Sequence, residues 1–198
     1  MSAPPPCAPK SLSFLAADDG IAAVEMAFIA PVALILLTLA VAAGQCLTTY
    51  HKVVLAAHTS TDLVARTAWN ADPSVAGAEL LPLSGLNTDI GVSQLVMYPE
   101  NTTNLRVVIS EFQINPSTKT GTLVWSYSTS NTTPLPQGTK ISLDPNLAAT
   151  GATYVVYGTV SYNFQPFGGI LSLPPITLSS TETLTIRNAT QITIDPTS

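Results

Sequence analysis

Residues 26–44 read MAFIAPVALILLTLAVAAG, a run of apolar and small side chains without a single charge. At a rise of about 1.5 Å per residue, this run spans roughly 28 Å as a helix, close to the hydrocarbon thickness of a bilayer. Extending it back to Ile21 adds one ionisable side chain, Glu25. The stretch therefore predicts a transmembrane helix with a carboxylate near its start.

Helical periodicity continues beyond the apolar run, over residues 47–69. Apolar and weakly polar side chains recur there at three- and four-residue steps, at Tyr50, Val54, Ala57, Thr61, Val64 and Ala68. The turn signals in residues 70–73, read NADP, predict that the helix ends near Trp69. Pro31 removes a backbone donor and Gly44 lowers helix propensity, so we expect a kink or a looser turn within one long helix.

After about Ala71 the composition changes to Thr, Ser, Asn, Pro and Gly interleaved with Val, Ile, Leu and Tyr, which is typical of strands and turns. The clearest predicted strand is Thr153 to Phe164, with one apolar and one polar face. Weaker predicted strands are Ile90 to Tyr98, Leu105 to Ile114, Thr122 to Ser128 and Thr181 to Arg187. A short extra helix is predicted around Ser74 to Leu83.

These elements predict an α+β fold with an antiparallel sheet of about four to six strands. No other strongly periodic helical segment is evident, so the C-terminal half of the long helix is expected to cover the apolar face of the sheet. Four segments follow: a Pro-rich, disordered leader (1–20), a transmembrane helix (21–46), an amphipathic extension (47–70) and a β-rich head (71–198).

Charge excludes one large class of function. The 198 residues include seven Lys and Arg against twelve Asp and Glu, a formal net charge of −5, and only 10% are charged. Without a basic surface to neutralise phosphates, nucleic acid is not an expected partner.

Catalytic and metal-binding patterns are also missing from the sequence. Acidic residues are scattered, and no Ser/His/Asp, Cys/His or phosphate-loop arrangement stands out, so we expect no enzyme activity and no cofactor. His51 and His58 are seven residues apart, whereas helical metal pairs are usually three or four apart, so we interpret both as solvated. Cys7 and Cys46 can form at most one bridge, which excludes a disulfide framework.

One motif lies at the junction between leader and apolar helix. Residues 18–25 read DDGIAAVE, which places Gly20 five positions before Glu25. This pattern resembles the prepilin-peptidase site of type IV pilin-like proteins. Residues 20–37, read GIAAVEMAFIAPVALILL, resemble more closely the start of TadE/TadG-like minor pilins of the tight-adherence (Tad) pilus, including Phe28 and Pro31. Residues 154–167 and 176–180 are similar, more loosely, to the family's closing strands.

The resemblance implies a pilin-like structural subunit. A prepilin peptidase would cut after Gly20, leaving Ile21 as the mature N-terminus and Glu25 as the fifth residue. The implied partners are that peptidase, other pilin subunits, the Tad inner-membrane assembly platform and the lipid bilayer. The implied location is the inner membrane, single-pass with a periplasmic head, or an extracellular pilus, with roles in pilus assembly and surface adhesion.

Two alternatives remain open at this stage. The apolar block could be a secretory signal peptide, because Ala40-Val41-Ala42 offers a small-x-small cleavage site. A leader without a run of positive charge, a long apolar run and Glu25 argue against it. A single-pass envelope protein with an uncut anchor is the other alternative.

Overall fold

The computed structural model describes residues 18–66, 70–148, 151–169 and 174–195, and the side chains of 18–22 are outside the description. Cys7, most of the predicted leader and Trp69 lie outside the described residues. The long helix α1 runs over Asp18–Arg66, 49 residues, and is α-helical without a break through Pro31 and Gly44. Its start at Asp18 places the last three residues of the predicted leader in the helix.

The remaining elements alternate between strands and short helices. They are β1 (Asn70–Ala71), β2 (Ala78–Pro82), α2 (Leu83–Met97), a 3-10 turn (Thr102–Asn104), β3 (Leu105–Asn115), β4 (Thr120–Ser128), β5 (Lys140–Ser142), α3 (Pro145–Ala148), β6 (Tyr154–Phe164), a 3-10 turn (Pro166–Gly169), β7 (Ile176–Thr185) and β8 (Gln191–Asp195).

The chain divides into two compact units, the first ending at Ala43 and the second beginning at Gly44. In the first unit the described side chains of α1 from Ala23 onward are mostly exposed, as in Phe28 at 75% and Leu37 at 62%. The second unit comprises residues 44–66 of α1 together with everything that follows, so the covering helix and the sheet belong to one folded body.

The second unit contains two sheets. The larger has five antiparallel strands in the order β5-β4-β3-β6-β7, and the smaller has the order β1-β2-β8 with β2 and β8 parallel. In the larger sheet Leu105 pairs with Tyr162, and Phe164 pairs with Ile176. The fold class is therefore α+β, as the sequence predicts, and the number of strands in the larger sheet lies within the predicted range.

The main core lies between the helices and one face of the large sheet. It brings together buried apolar residues of α1 and α2 with residues of β3 and β6, among them Val53, Ala57, Val64, Leu86, Ile90, Met97, Val107, Ile109, Val156 and Val160. The predicted packing of the C-terminal half of α1 on the sheet is thus confirmed.

A second, smaller core occupies the other face of the sheet. It consists of Phe112, Ile114, Leu123, Leu143 and Val155. Because side chains alternate between faces along a strand, Val155 and Val156 serve different cores. The prediction that the strand over residues 153–164 has one polar, solvent-facing side is therefore wrong at the start of that strand.

Close contact between α1 and β6 depends on small side chains. A Cβ atom built on Gly158 would lie 1.8 Å from Oγ1 of Thr61, a separation that no real contact allows. The Thr61 hydroxyl itself is buried and donates to the carbonyl of Ala57 at 2.7 Å. Helix and sheet therefore meet at a point that admits no side chain on the strand.

Two sequence predictions about residues 74–98 are wrong. The segment Ile90 to Tyr98, predicted as a strand, forms the C-terminal half of α2 up to Met97, followed by the capping residue Tyr98. The residues at helical steps, Leu86, Ile90, Ser93 and Met97, are buried. The segment Ser74 to Leu83, predicted as a helix, holds β2 instead. Its parallel partner β8 is more than 100 residues away, and local periodicity carries no signal of such pairing.

Three further details differ from expectation. Of the predicted stripe, Ala57, Thr61 and Val64 are buried as expected, whereas Tyr50 is 42% exposed. Val53 and Ala56 are also buried, so the covering face is wider than the predicted stripe. The strand predicted from Thr181 to Arg187 runs instead from Ile176 to Thr185. The cover predicted to be α1 alone also includes α2. The predicted helix end at Trp69 lies outside the described residues.

Candidate functional site

The predicted processing site lies in the first turns of α1. Gly20 and Ile21 are helical, although their side chains are outside the described residues. Glu25 is exposed and lies four positions after Ile21, which is one helical turn on the same face. The apolar block follows immediately, with Pro31 inside the helix.

A helical stretch over Ala23–Arg66 is long and apolar enough to cross a membrane, and it is the one such stretch among the described residues. None of its most apolar window is buried by protein. An uncovered apolar surface of this size is unfavourable in water, so the block requires lipid or protein neighbours.

A cavity of about 670 Å³ opens beside the first residues of the second unit. Its walls come from α1, the loop after α2 and the end of β6, and are formed by Gly44, Gln45, Thr48, Thr49, Pro99, Glu100, Asn101, Asn104, Tyr162, Phe164, Gln165 and Phe167. Glu100 is the one charged residue of this wall, which is otherwise mostly polar and aromatic. We call this end of the second unit its base.

One ion pair borders the base. Lys52 Nζ lies 3.4 Å from Glu100 Oε1 and also donates to the carbonyl of Tyr98 at 3.2 Å. Thr49 donates to the same carboxylate at 3.4 Å. Burial raises the pKa of the neighbouring Tyr162 hydroxyl, and the negative charge of Glu100 adds to the effect. These contacts fasten the loop after α2 to α1.

The most perturbed acid is one that sequence reasoning did not single out. Glu111 is fully buried, and its Oε1 accepts from the backbone N–H of Ile192 at 2.9 Å. Its register partner Trp125 donates from Nε1 to the carbonyl of the same Ile192 at 2.7 Å. Two side chains of the large sheet thus bind both backbone groups of one residue of β8, which joins the two sheets.

Desolvation raises the pKa of Glu111 to about 7, although the contacts with Ile192 and Trp125 oppose the change. Oε2 has no hydrogen-bond partner among the described residues. The sequence contained a signal that Glu111 would be buried. In β3 the positions 105, 107, 109 and 111 share one face, and a glutamate ends a series of Leu, Val and Ile.

The two histidines are exposed on α1, beside Glu182 of β7, along a shallow apolar depression that also includes Tyr50, Val54 and Leu55. The described residues contain no group of three or more His, Cys, Asp or Glu placed to hold a metal ion. Cys46 is a free thiol, partly buried against the main core.

Fold and helix together define a class: a protein whose long N-terminal helix is apolar enough to cross a membrane and continues into the cover of an antiparallel sheet. The model of a family described as TadE-like protein matches residues 20–62. The match begins at Gly20 and includes the apolar block and the first turns of α1 that pack on the sheet. The resemblance noted in the sequence is confirmed over this segment, which is similar to TadE-like proteins.

The TadE-like family is a structural family without enzyme activity of its own. No curated protein matches the chain, and no solved structure matches it either. Residues 63–198 lie beyond the family match, so the head has to be understood from its own geometry.

Proposed function

We propose that this chain is a minor pilin-like structural subunit of a Tad-type pilus, that a prepilin peptidase processes it after Gly20, and that it contributes to pilus assembly and surface adhesion. The observation that carries the proposal is the family match that begins at Gly20, in the first turn of α1, followed by Glu25 and the exposed apolar stretch of the same helix. The structural character of the TadE-like family supports a structural role rather than an enzymatic one.

The proposed cleavage has a physical rationale in residues 20–25. Glycine lacks a Cβ, so a peptidase can approach the backbone at Gly20 closely. Cleavage would leave the α-amino group of Ile21 at the positive end of the helix dipole, where a second positive charge is unfavourable. The carboxylate of Glu25, four positions later, would offset it within one subunit or between neighbours.

Close helix packing is supported by small side chains along the same segment. Alanines lie at positions 22, 23, 27, 30 and 33, and small residues let helix backbones approach each other in lipid or in a filament. Such packing would cover the apolar block, whose most apolar window is not buried by the part of the chain that the structure describes.

We place the segments in the cell as follows. The leader (1–20) lies in the cytoplasm, residues 21–46 cross the inner membrane, and the extension (47–70) and head (71–198) lie in the periplasm until the subunit enters a pilus. The assembly partners are the peptidase, other pilin subunits and the inner-membrane platform. Support for this orientation comes from the family resemblance.

The experiment is N-terminal sequencing and intact-mass measurement of the chain from envelope fractions, for the native protein and two variants. Gly20→Leu should abolish a start at Ile21. Gly44→Leu is the matched control, because it changes another glycine of α1 at which a Cβ meets nothing within 4 Å. Processing of the control should be unchanged.

Each alternative gives a different product. A start near Ala43 would identify an exported protein with a cleaved signal peptide; this product would retain the helical cover of the sheet, which begins at Gly44, so folding alone would not reveal the difference. An uncut chain in all three samples would identify a simple anchor. Either result would contradict the proposal.

A further inference from the structure

The outer strand of the large sheet, β7, leaves one side of its backbone without a partner strand. It pairs with β6 over all ten of its residues, Ile176–Thr185, without a register shift. Among the described residues no other strand pairs with it. Alternate residues of an antiparallel strand direct their N–H and C=O groups to opposite sides, so about half of these residues offer both groups outward. The outer edge of β7 is therefore a row of donors and acceptors about 33 Å long.

The opposite edge of the same sheet is protected, whereas β7 is not. Its outer strand, β5, has three residues and begins with Lys140. The chain after β4 covers more of that edge, because the N–H of Leu123 donates to the carbonyl of Thr139 at 3.0 Å and the Ser128 hydroxyl donates to the carbonyl of Thr132 at 2.9 Å. Short strands, lysines and covering loops are the usual devices that prevent unwanted strand pairing. β7 is long and regular and contains no Lys, Arg or Pro, so it remains a template for another strand.

A depression of about 560 Å³ lies beside β7, on the side of the sheet that α1 covers. We call it the β7 groove, and its walls are Tyr50, His51, Val54, Leu55 and His58 of α1 and Glu182 of β7. All six residues belong to the second unit. Glu182 shares a face of β7 with Leu178, which belongs to the main core, so this face is the one directed toward α1. A strand added to β7 would direct every second side chain into the groove.

The polarity of the groove defines the partner strand. Val54 and Leu55 give it an apolar wall, and Leu55 is 55% exposed in one copy of the chain. Glu182 is its one acidic residue and forms no ion pair among the described residues. In recognition by strand addition, backbone pairing supplies affinity and the alternate side chains supply specificity. The side chains that enter the groove should therefore be apolar, with a Lys or Arg opposite Glu182.

We propose that β7 and the β7 groove accept an extended segment of another protein, which adds a sixth strand to the large sheet and places apolar side chains and one Lys or Arg on the face toward α1. The site goes beyond the proposed function, because it requires neither cleavage after Gly20 nor a particular placement of the first unit. It joins a partner through backbone groups that a single chain leaves unpaired.

The test measures peptide binding to the full chain in nanodiscs at one copy per disc, by fluorescence anisotropy. The probe is acetyl-Thr-Val-Thr-Lys-Thr-Val-Thr with a C-terminal fluorescein, and the matched peptide has Glu in place of Lys. The native chain should bind the Lys peptide more tightly than the Glu peptide. Glu182→Lys should reverse this preference, with a change of about fivefold for each peptide, the size expected of a partly exposed ion pair.

Variants of the apolar wall and hydrogen exchange locate the peptide. Leu55→Ser should weaken binding of the Lys peptide several-fold. Leu95→Ser is the matched control, because Leu95 is 76% exposed on α2 and outside the groove, and it should leave binding unchanged. Bound peptide should slow exchange in Ile176–Thr185 and leave Lys140–Ser142, at the other edge of the sheet, unchanged. Equal effects of the two leucine variants, or protection confined to another segment, would overturn the site.

Two N-methylated forms of the Lys peptide test backbone pairing. Methyl groups on one alternate set of amides remove the donors that face β7, and methyl groups on the other set lie on the far side of the added strand. One form should lose binding and the other should retain it. The same result for both forms, or no binding of the unmodified peptide at millimolar concentration, would overturn the proposal.

Pairing between two copies of this chain is the competing occupant. In discs that hold two chains, with Cys7→Ser and Cys46→Ala as background, a disulfide between the two Thr181→Cys residues that the peptide does not suppress would assign the edge to a second copy and contradict the proposal. A chain cleaved after Gly20 that binds neither peptide would overturn this site and leave the proposed function intact.

Discussion

Replacing Gly158 with alanine should destabilise the second unit more than any other single-methyl addition to the large sheet. The new Cβ would lie 1.8 Å from Thr61 Oγ1, far inside the roughly 3.0 Å limit of real contacts. Either Thr61 rotates and loses its 2.7 Å bond to Ala57, or α1 moves away from β6 by more than an ångström. Loss of the hydrogen bond costs about 1 kcal/mol and overpacking about 1–3 kcal/mol. We expect a loss of about 2–3 kcal/mol in the free energy of unfolding.

The assay is urea unfolding of the full chain in nanodiscs, followed by the fluorescence of Trp125 in a Trp69→Phe background. Gly91→Ala is the matched control, because it adds the same methyl where nothing lies within 4 Å, inside α2. It should be neutral or stabilise by up to about 1 kcal/mol, since alanine favours helix over glycine.

A compensating variant makes the prediction specific. In the Gly158→Ala background, Thr61→Ala removes Oγ1 and Cγ2 and leaves only Cβ, 3.1 Å from the added methyl, so most of the stability should return. Thr61→Val fills the same space and should restore little. The reasoning is refuted if Gly158→Ala unfolds like the native chain, or if the double variant is no more stable than the single one.

Three other predictions concern the second unit. The pKa of Glu111 is raised from 4.5 to about 7, so the folded state keeps a proton that the unfolded chain has released. The contribution of Glu111 to the free energy of unfolding should be fully present below about pH 4.5 and should fall by about 3 kcal/mol up to pH 7. Glu111→Gln should remove this part of the pH dependence when the free energy of unfolding is measured across pH. Trp125→Phe leaves the carbonyl of Ile192 without its donor and should cost about 1 to 3 kcal/mol, with earlier hydrogen exchange in β8; unchanged exchange would contradict the role of Trp125 in joining the sheets. Asp62→Asn weakens the contact with Arg187 Nη2 at 3.7 Å and, because that arginine is exposed, should cost no more than about 1 kcal/mol by the same unfolding assay.

Local patterns in the sequence were sufficient to predict the elements whose pattern does not depend on which distant segment packs against them. An uncharged apolar run defines the first half of α1 regardless of the rest of the chain, because it depends only on length and composition. Alternation in residues 154–164 and 105–115 predicts two central strands, since a sheet with a packed face imposes a period of two.

Other features depend on distant contacts and left no local signal. In α2, Val92, Leu95 and Val96 obscured the helical spacing of the buried residues, which becomes evident only once α1 and β3 are in place. The pairing of β2 with β8 joins segments from the two ends of the head. The role of Glu111 required knowledge that β8 covers it.

Among the candidate functional residues, the family resemblance gave Gly20, Ile21, Glu25 and Pro31, and the match over residues 20–62 supports the identification of the segment. Their roles in processing and assembly stay predictions. The cavity beside Gly44 was not foreseen, because residues 90–98 are predicted from the sequence as a strand. Only the structure brings the loop after α2 next to Gly44.

The central claim, that the chain is a processed pilin-like subunit, is tested most directly by the intact mass of the native protein in envelope fractions of cells with and without a prepilin peptidase. The account predicts a mature chain starting at Ile21 when the peptidase is present and a chain that retains Gly20 when it is absent. The same N-terminus in both strains would contradict it.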